Sequence, residues 1–387
     1  MSVARLPQPD AVSWAVQLEP MAERIGPRFL PSEPRRQALA YRPGLLSPVE
    51  RKNSWHLAEQ AGDAGRHRFQ HLRGRAVWEA AAVRDDLQAY GREHLPDPEA
   101  VLLVDETGLR KKGEQSVGVQ RPYSGTAGRI ENCQIGVCLA SAAGRGHTFL
   151  DRALYVPAEW AEDRQRRGAA GVPEEIRFAT KPALARQRIA RALANGVAAR
   201  WVSGDSVYGH DGKLRLWLEE QQMAHVLGVS GNHYVTIGGK QHKVNAVAAP
   251  LLPGDRSRLS AGSGSKGPRW YEWAAVETNS LHEDWARWLL VRRSLDDPQE
   301  RAYYRVFAPA GTTLEEMVAV AGKRWAVEEC FATAKGECGL DEYEVRNWTG
   351  WHRHITLSLL AHAYLTAVRA QTIEKTPKKR KRPAKTG

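Results

Sequence analysis

Long apolar runs are missing from this 387-residue chain. No stretch approaches the roughly 20 consecutive apolar residues that a membrane-spanning helix needs, and the mean hydropathy is −0.51. The first ten residues, MSVARLPQPD, contain no apolar segment of the kind found in a secretory signal. These absences predict a cytoplasmic protein with no membrane partner.

Cysteine is also scarce. The four cysteines have C-x4-C and C-x7-C spacings and form no C-x2-C pair, which disfavours a zinc site. Four cysteines are too few to form a disulfide scaffold in a chain of this length. We therefore expect reduced, structural cysteines at Cys133, Cys138, Cys330 and Cys338.

Positive charge is abundant and unevenly placed. The net charge is +12, and residues 375–387 carry seven Lys or Arg and no acid, so the remainder of the chain retains +5. We predict a disordered basic tail over 371–387. Such a tail attracts polyanions without sequence preference; the alternative is a solvated tail with no specific role.

Composition divides the chain into further regions, and no internal repeat is visible. A length of 387 residues indicates two or three units. We predict an α-helical N-terminal domain (1–98), the first part of a core with alternating strands and helices (99–228), a β-rich insertion (229–310) and C-terminal core helices (311–370). The insertion is expected to be an antiparallel sheet.

The N-terminal region carries a helix-start signal. Ser47, Pro48 and Glu50 form a capping-box pattern that predicts a helix from there to about Ala61, with a stop at Gly62. A basic helical segment follows. It indicates either a helix-turn-helix-like DNA-binding module or an ordinary helical cap on the core. Its basic and apolar members are Arg66, Arg68, Phe69, Leu72, Arg73, Arg75 and Trp78.

Two apolar, strand-like runs are followed by aspartate. VLLV precedes Asp105 and WVSG precedes Asp205. Two carboxylates at strand ends suit Mg²⁺ or Mn²⁺, which prefer oxygen ligands. Aspartate is also a common turn former, and that alternative stays open for each residue alone.

A charged row follows in KRWAVEECFATAK. Arg324, Glu328 and Lys335 share one face of a helix, since helical residues are about 100° apart. Such a row is either an exposed ion-pair stripe or a metal-binding carboxylate flanked by two phosphate-binding cations.

The order of these motifs resembles that of the DDE transposases of bacterial insertion sequences, in the IS4-like group and most closely the IS701 family. The signature of that group, Y-x2-R-x3-E-x6-K, places R, E and K on Arg324, Glu328 and Lys335. The tyrosine position is held by Ala321, so no role of that tyrosine is carried over. VGVQRPYSGTAGRIENCQIGV also resembles the family, and the similarity runs from about residue 45 to 368.

The resemblance implies an α/β fold, namely an RNase H-like mixed sheet flanked by helices, with the β-rich insertion and the helical N-terminal domain. It also implies catalysis of DNA strand cleavage and strand transfer by Asp105, Asp205 and Glu328, which would bind two Mg²⁺ or Mn²⁺ ions. The implied partners are transposon-end and target DNA and a second copy of the chain in a synaptic homodimer. The implied location is the bacterial cytoplasm, at the nucleoid when DNA is bound.

Further DNA contacts are expected around the acids. Arg324 and Lys335 are assigned to phosphates beside the site, and Arg121 and Tyr123 in QRPYSG are expected to contact DNA. Arg269 and Trp270 lie in the RWYEWA stretch of the insertion. The resemblance implies that an aromatic residue there stacks on a flipped base; the alternative is that Trp270 or Trp273 belongs to a sheet core. Gly204 and Gly209 are expected to let a DNA phosphate approach Asp205.

Two other functions remain open at this point. An RNase H-like nuclease without strand transfer would need the same three acids. A domesticated DNA-binding regulator would not need them, so their presence disfavours it.

Overall fold

The computed structural model describes residues 11–29, 32–121, 123–124, 129–264, 267–280 and 283–375. The predicted basic tail lies outside the described residues from 376 onward, and residues 371–375 end the last helix. Among the described residues, no helix is long and apolar enough to cross a membrane.

Helices and strands alternate after a helical N-terminal region. Within the described residues the helices are α1 (Ala11–Ile25), α2 (Ser32–Leu46), α3 (Ser54–Gln60), α4 (His67–Gly74), α5 (Ala80–His94), α6 (Ala158–Glu162), α7 (Arg164–Ala170), α8 (Lys181–Ala194), α9 (Ser206–Gly209), α10 (Gly212–Glu220), α11 (Val244–Ala248), α12 (Leu314–Lys323), α13 (Trp325–Cys338) and α14 (Trp348–Lys375). Two 3-10 turns cover Gly26–Arg28 and Pro253–Asp255.

The strands of the described residues fall into one large sheet and two small hairpins. They are β1 (Val101–Arg110), β2 (Tyr123–Ser124), β3 (Arg129–Ile130), β4 (Cys133–Ala143), β5 (Gly146–Tyr155), β6 (Trp201–Gly204), β7 (Ala224–Val229), β8 (Tyr234–Ile237), β9 (Lys240–Lys243), β10 (Ser257–Gly264), β11 (Gly267–Thr278), β12 (Trp285–Arg293) and β13 (Arg301–Pro309).

The predicted helix start at Ser47 is wrong. The Ser47 hydroxyl donates to the carbonyl of Gly44 at 2.6 Å, just after α2. The next helix begins at Ser54, because the Asn53 side chain accepts from the backbone N–H groups of Trp55 and His56. Asparagine is among the strongest N-cap residues, so the later signal determines the start. The predicted stop is confirmed, since Gly62 has a φ of 71° just beyond α3.

The nine-stranded sheet has the order β10-β11-β12-β13-β7-β6-β1-β4-β5. β6 runs parallel to both β1 and β7, and every other neighbouring pair is antiparallel. A mixed sheet flanked by helices is therefore confirmed. The predicted antiparallel strands of 229–310 are also present, and β10–β13 extend the core sheet through the pairing of β13 with β7.

The sheet buries both of its faces around β1. Val101 and Leu103 join the core that includes α12–α14, whereas Leu102 and Val104 join the core that includes α8 and α10. Burying each such side chain contributes about 1.5–3 kcal/mol relative to leaving it exposed. This alternation fixes which face each later residue of β1 points toward.

The stretch TTLEEMVAVAGKRWAVEECFATAKGECGL (312–340) has the pattern of one long helix, but it forms two helices. α12 ends at Lys323, α13 begins at Trp325, and Arg324 lies at the junction with φ −52° and ψ −34°. Capping marks the start of α12, where Thr313 and Glu316 form a capping box. Gly322 allows α12 to approach β10 closely, because a Cβ on this residue would lie 2.2 Å from the carbonyl oxygen of Ala261.

Substitution of that glycine tests the packing. We expect Gly322→Ala to lower the free energy of unfolding by at least about 1–3 kcal/mol, because the added methyl group overlaps backbone that cannot rotate away. Gly336→Ala is the matched control: Gly336 lies in α13 with nothing within 4 Å of its Cβ position, and alanine there should add about 0.5–1 kcal/mol. Urea denaturation measures both. Equal effects of the two substitutions would contradict the packing assignment.

Candidate active site

Two aspartates lie side by side where the parallel pairing of two neighbouring strands ends. The expectation that both stand at strand ends holds for Asp205 but is wrong for Asp105, because β1 continues to Arg110. The parallel register of β1 and β6 ends at the pair Val104 and Gly204, so Asp105 and Asp205 are the next residue of each strand. β1 continues in its pairing with β4, where Asp105 lies opposite Cys138. Asp205 leaves β6 and caps α9 by accepting from the N–H of Val207 at 2.9 Å. The turn-forming role and the position beside Asp105 therefore coexist in Asp205.

Arg324 connects the first aspartate to the candidate third acid. Its Nη1 atom lies 3.6 Å from Asp105 Oδ2 and 3.8 Å from Glu328 Oε1. Asp105 shares the sheet face of Val101 and Leu103, which α12–α14 cover. The guanidinium group thus lies between the two carboxylates, and the Glu328 side chain remains 46% exposed.

Both aspartates have raised pKa values. The pKa of Asp105 is raised to about 7. Burial is the largest cause and the charges of Asp205 and Glu328 contribute, while a hydrogen bond from the Glu106 N–H and the charge of Arg324 oppose the rise. The pKa of Asp205 is raised by burial and then by the charge of Glu106. One guanidinium therefore does not neutralise this group of acids.

The donor set fits a divalent cation at the two aspartates. Their carboxylate oxygens are hard ligands of the kind that Mg²⁺ and Mn²⁺ prefer. The pKa of Asp105 is raised chiefly by burial and also by the neighbouring negative charges of Asp205 and Glu328, and a bound cation would stabilise the ionised carboxylate. Within the part of the chain that the structure describes, no three His, Cys, Asp or Glu side chains are close enough to hold one ion. The structure therefore brings Asp105 and Asp205 together, with Glu328 on the far side of Arg324.

The neighbouring residues of α13 have different surroundings. Glu329 Oε2 lies 3.1 Å from His147 Nε2, so this carboxylate points to β5 and not to the aspartates. Lys335 is half-buried beside β4, where its charge opposes the rise that burial causes in the pKa of the Cys138 thiol. Of the two consecutive glutamates, Glu328 is the one beside the aspartates.

A second network lies on the opposite face of β1. Glu106 accepts from the Tyr208 hydroxyl at 2.7 Å and lies 2.6 Å from Lys181 Nζ. Tyr208 is fully buried, so this contact ties α9 to β1 directly behind Asp205. The sequence shows that Glu106 alternates with Asp105, but Lys181 is 75 residues away and no spacing signals its role.

The expectation that Gly204 and Gly209 admit a DNA phosphate is wrong. A Cβ on Gly204 would lie 2.7 Å from Val104 Cγ2, and one on Gly209 would lie 1.8 Å from the carbonyl oxygen of Gly228. Protein atoms occupy both spaces. These glycines are required because strands β1, β6 and β7 and helix α9 approach closely.

A cleft of about 280 Å³ opens beside the acids. It extends from Asp205 and Arg324 to the beginning of β13, which contributes Arg301 and Tyr303. The sequence did not indicate either residue, because the pairing of β13 with β7 brings them there from the insertion.

The predicted DNA contacts are dispersed. Arg121 is exposed, and Tyr123 begins β2, although its side chain is outside the described residues. Trp270 is 47% exposed, with the Arg258 guanidinium 5.8 Å from its ring centre. Trp273 is 1% exposed and belongs to the core.

Arg269 joins the insertion to the helix junction. Its Nη2 donates to the carbonyl of Ala261 at 2.6 Å and to that of Gly322 at 3.0 Å. Its guanidinium also lies 6.0 Å from the ring centre of Trp325, which is 49% exposed. Arg269 therefore contacts residues on both sides of Arg324.

Comparison with known proteins places this geometry in context. A family model described as DDE superfamily endonuclease matches residues 27–292, a range that includes both aspartates and ends before Glu328. A probable transposase for insertion sequence element IS701, from Microchaete diplosiphon, is 26% identical over 200 residues. The alignment covers 51% of this chain and 50% of that protein, so the chain spans about half the length of this relative.

Because Asp105 is buried, we predict that its ionisation lowers the free energy of unfolding and that the effect depends on pH. Because its pKa is about 7 in the folded protein against an ordinary 3.8, the free energy of unfolding falls as pH rises from about 4 to 7, and the full cost is present above pH 7. Each pKa unit corresponds to about 1.4 kcal/mol, so the cost reaches up to about 4 kcal/mol. Asp105→Asn should therefore raise the melting temperature in EDTA at pH 8, and raise it less at pH 5.

Thermal denaturation of the natural protein and of Asp105→Asn at pH 5 and pH 8 measures this difference. Mg²⁺ should raise the melting temperature of the natural protein at pH 8 more than that of Asp105→Asn, since the variant lacks one ligand. If Asp105→Asn melted at a lower temperature than the natural protein at pH 8 in EDTA, the conclusion that the Asp105 charge destabilises the fold would be contradicted.

Proposed function

This chain belongs to the DDE superfamily endonucleases, and on that premise we propose that it is an insertion-sequence transposase that cuts and joins DNA at the ends of its own element. The observation that carries the proposal is the meeting of Asp105 and Asp205 at one sheet edge, with Arg324 and Glu328 facing them. The similarity to the IS701 transposase supports strand transfer in addition to cleavage. The order of the five strands β5-β4-β1-β6-β7 supports an RNase H-like core.

The catalytic roles follow from the surroundings of each acid. We assign Asp105, Asp205 and Glu328 as ligands of Mg²⁺ or Mn²⁺. When bound, two such ions supply an activated water or 3′-hydroxyl and stabilise the leaving oxygen. Asp105 must be ionised to act as a ligand. Glu328 is exposed enough to turn toward the aspartates.

Arg324 has two roles in this proposal. In the free protein its guanidinium reduces the repulsion between Asp105 and Glu328. A DNA phosphate entering the cleft offers it a stronger, bidentate partner. Its move to the phosphate would leave both carboxylates free to bind metal, so substrate entry and metal binding would favour each other.

The remaining assignments concern DNA and assembly. Lys335, Arg121 and Tyr123 are proposed to contact the backbone, and Arg269 and Trp270 to contact DNA from the insertion beside the helix junction. In the proposed N-terminal DNA-binding domain (1–98), Arg66 lies 4.9 Å from the ring of the half-exposed Trp55. The basic tail, a homodimer that holds two ends, and a bacterial cytoplasmic location complete the proposal. The five predicted regions remain its domain division.

Cleavage of the natural element tests the catalytic assignment. The substrate is a plasmid that carries the coding sequence with its natural flanking DNA, incubated with Mn²⁺ and target DNA and analysed for nicks and joined products. We expect Asp205→Asn and Glu328→Gln each to lower the cleavage rate by at least about 100-fold. Glu329→Gln removes the adjacent carboxylate, which faces His147, and should leave the rate within a few fold of the natural protein.

The outcomes separate the candidate functions. Joined products support a transposase, whereas cleavage without any joining indicates a nuclease. Unchanged DNA breakage in Asp205→Asn would remove the catalytic assignment.

Substitution of Arg324 tests the phosphate and charge roles together. Arg324→Ala should slow cleavage and move the acid limb of the pH–rate profile to higher pH, because Arg324 normally opposes the rise in the pKa of Asp105. Arg324→Lys retains the charge but not the bidentate geometry. It should therefore keep the acid limb nearer its natural position while cleavage remains slow. Normal cleavage of the ends by Arg324→Ala would contradict both roles.

A further inference from the structure

A group of arginines surrounds one buried carboxylate at the free edge of the sheet. Asp151 lies on the edge strand β5 and has no exposed surface. Arg84 of α5 and Arg152 of β5 lie 3.9 and 3.4 Å from its Oδ1 atom. Arg188 and Arg191 of α8 lie 3.8 Å from its Oδ2 atom. We call these four arginines with Asp151 the edge cluster.

The edge cluster holds more positive charge than the carboxylates around it neutralise. The nearest additional acid is Asp85, which accepts from Arg84 at 2.8 Å, so four guanidinium groups face two carboxylates. His352, close to Arg152, adds no charge near neutral pH, because burial lowers its pKa to about 3. Two positive charges therefore remain in excess in a largely buried place, which costs free energy unless an anion approaches.

Hydrogen bonding in the edge cluster is also incomplete. Among the described residues, Asp151 Oδ2 and the Nε atoms of Arg152 and Arg188 are buried and make no hydrogen bond. The three longer ion-pair distances of 3.8–3.9 Å exceed hydrogen-bond range. Arg152 donates to Asp151 through its backbone N–H and Nη1. Asp151 attracts Arg188 and Arg191 without a hydrogen bond to either, so most of their guanidinium donors remain available to another acceptor.

The cluster opens toward solvent through α8. The side chains of Arg84 and Arg152 are 8% and 3% exposed, whereas those of Arg188 and Arg191 are 13% and 36% exposed. An incoming anion would therefore meet Arg188 and Arg191 first. The two deeper arginines would add to the field behind them.

The position of α8 relates this opening to the candidate active site. Lys181, the first residue of α8, contacts Glu106, which is the neighbour of Asp105 in β1 and points to the opposite face of the sheet. Arg188 and Arg191 lie seven and ten residues further along the helix, about 10 and 15 Å at 1.5 Å per residue. That length corresponds to roughly three to four base-pair steps of duplex DNA.

We propose that Arg188 and Arg191 bind backbone phosphates of a DNA duplex that runs along α8 away from the candidate active site. The proposal rests on the proposed function for which DNA is bound, but the binding itself requires no cleavage. Phosphodiester oxygens accept from guanidinium groups in the geometry that these donors leave open. The contact carries no sequence preference, because it involves the backbone alone.

Salt dependence of DNA binding tests this assignment. Fluorescence anisotropy of a labelled duplex from the natural flanking DNA, measured in EDTA, gives the slope of log K against log salt concentration. The double variant Arg188→Gln with Arg191→Gln should reduce the magnitude of that slope by about 1.8, which is about 0.9 for each phosphate that the variant no longer neutralises. The double lysine variant keeps both charges and should restore most of the slope.

Arg186 offers a matched control on the same helix. Its guanidinium lies 5.3 Å from the ring centre of Trp217 of α10, on the side of α8 away from the edge cluster. Arg186→Gln removes the same charge and should leave the slope unchanged. An equal reduction of the slope in Arg186→Gln would show that only net charge matters and would overturn the site.

Three further outcomes are informative. An unchanged slope in a double glutamine variant with a natural melting temperature overturns the proposal. Stabilisation by inorganic phosphate that is absent from the double variant, together with an unchanged DNA slope, assigns the site to a free anion and also overturns it. If the natural protein does not cleave DNA but the slope changes as expected, the proposed function fails while the edge cluster remains a DNA contact.

Discussion

The parallel pairing of β1 with β6 is the constraint on which the candidate site depends. The two strands run in the same direction and their pairing ends at Val104 and Gly204, so the residues that follow are neighbours although 100 positions separate them. The register is fixed because the apolar side chains of β1 are buried on both faces. A slip of one residue would exchange the faces and would direct Asp105 toward the Tyr208 side.

Charge is the second constraint. The charge of Asp205 adds to the rise that burial causes in the pKa of Asp105, and a single, partly exposed guanidinium, that of Arg324, opposes this rise. Because this compensation is incomplete, the two aspartates attract further positive charge. A stronger permanent ion pair would stabilise the fold but would compete with a metal ion for the same oxygens. The high pKa of Asp105 is therefore the expected cost of keeping the site available.

Local patterns in the sequence predicted much of this arrangement. Buried runs before Asp105 and Asp205 identified the strands, and the helical row identified Glu328 beside Arg324. The pattern could not decide between turn former and ligand for Asp205, because one carboxylate caps α9 and also adjoins Asp105. It also missed the helix break at Arg324, since the residues on both sides favour helix. The sequence carries a capping pattern at Ser47, but α3 begins after Asn53, which lies nearer the apolar residues that α3 buries.

The sequence did not predict the features that are assembled from distant segments of the chain. The edge cluster takes its arginines from α5, β5 and α8, and each arginine alone is an ordinary basic residue. The same limit applies to the glycines near Asp205. The sequence shows that these positions lack a side chain. The atoms that leave no room for one belong to Val104 and Gly228, which only the tertiary structure brings near.

The insertion holds the candidate site in place as well as extending the sheet. Strand β13 pairs with β7 and brings Arg301 and Tyr303 to the cleft beside Asp205. Arg269 of β11 donates to the carbonyl of Gly322, two residues before Arg324, and the missing side chain of Gly322 lets α12 approach β10. The junction that positions Arg324 is therefore braced by the insertion on one side and by the core sheet on the other. A displacement of the insertion would therefore act on the junction that carries the guanidinium between Asp105 and Glu328. Under the proposed function, DNA contact at the insertion would then be coupled to the arrangement of the three acids.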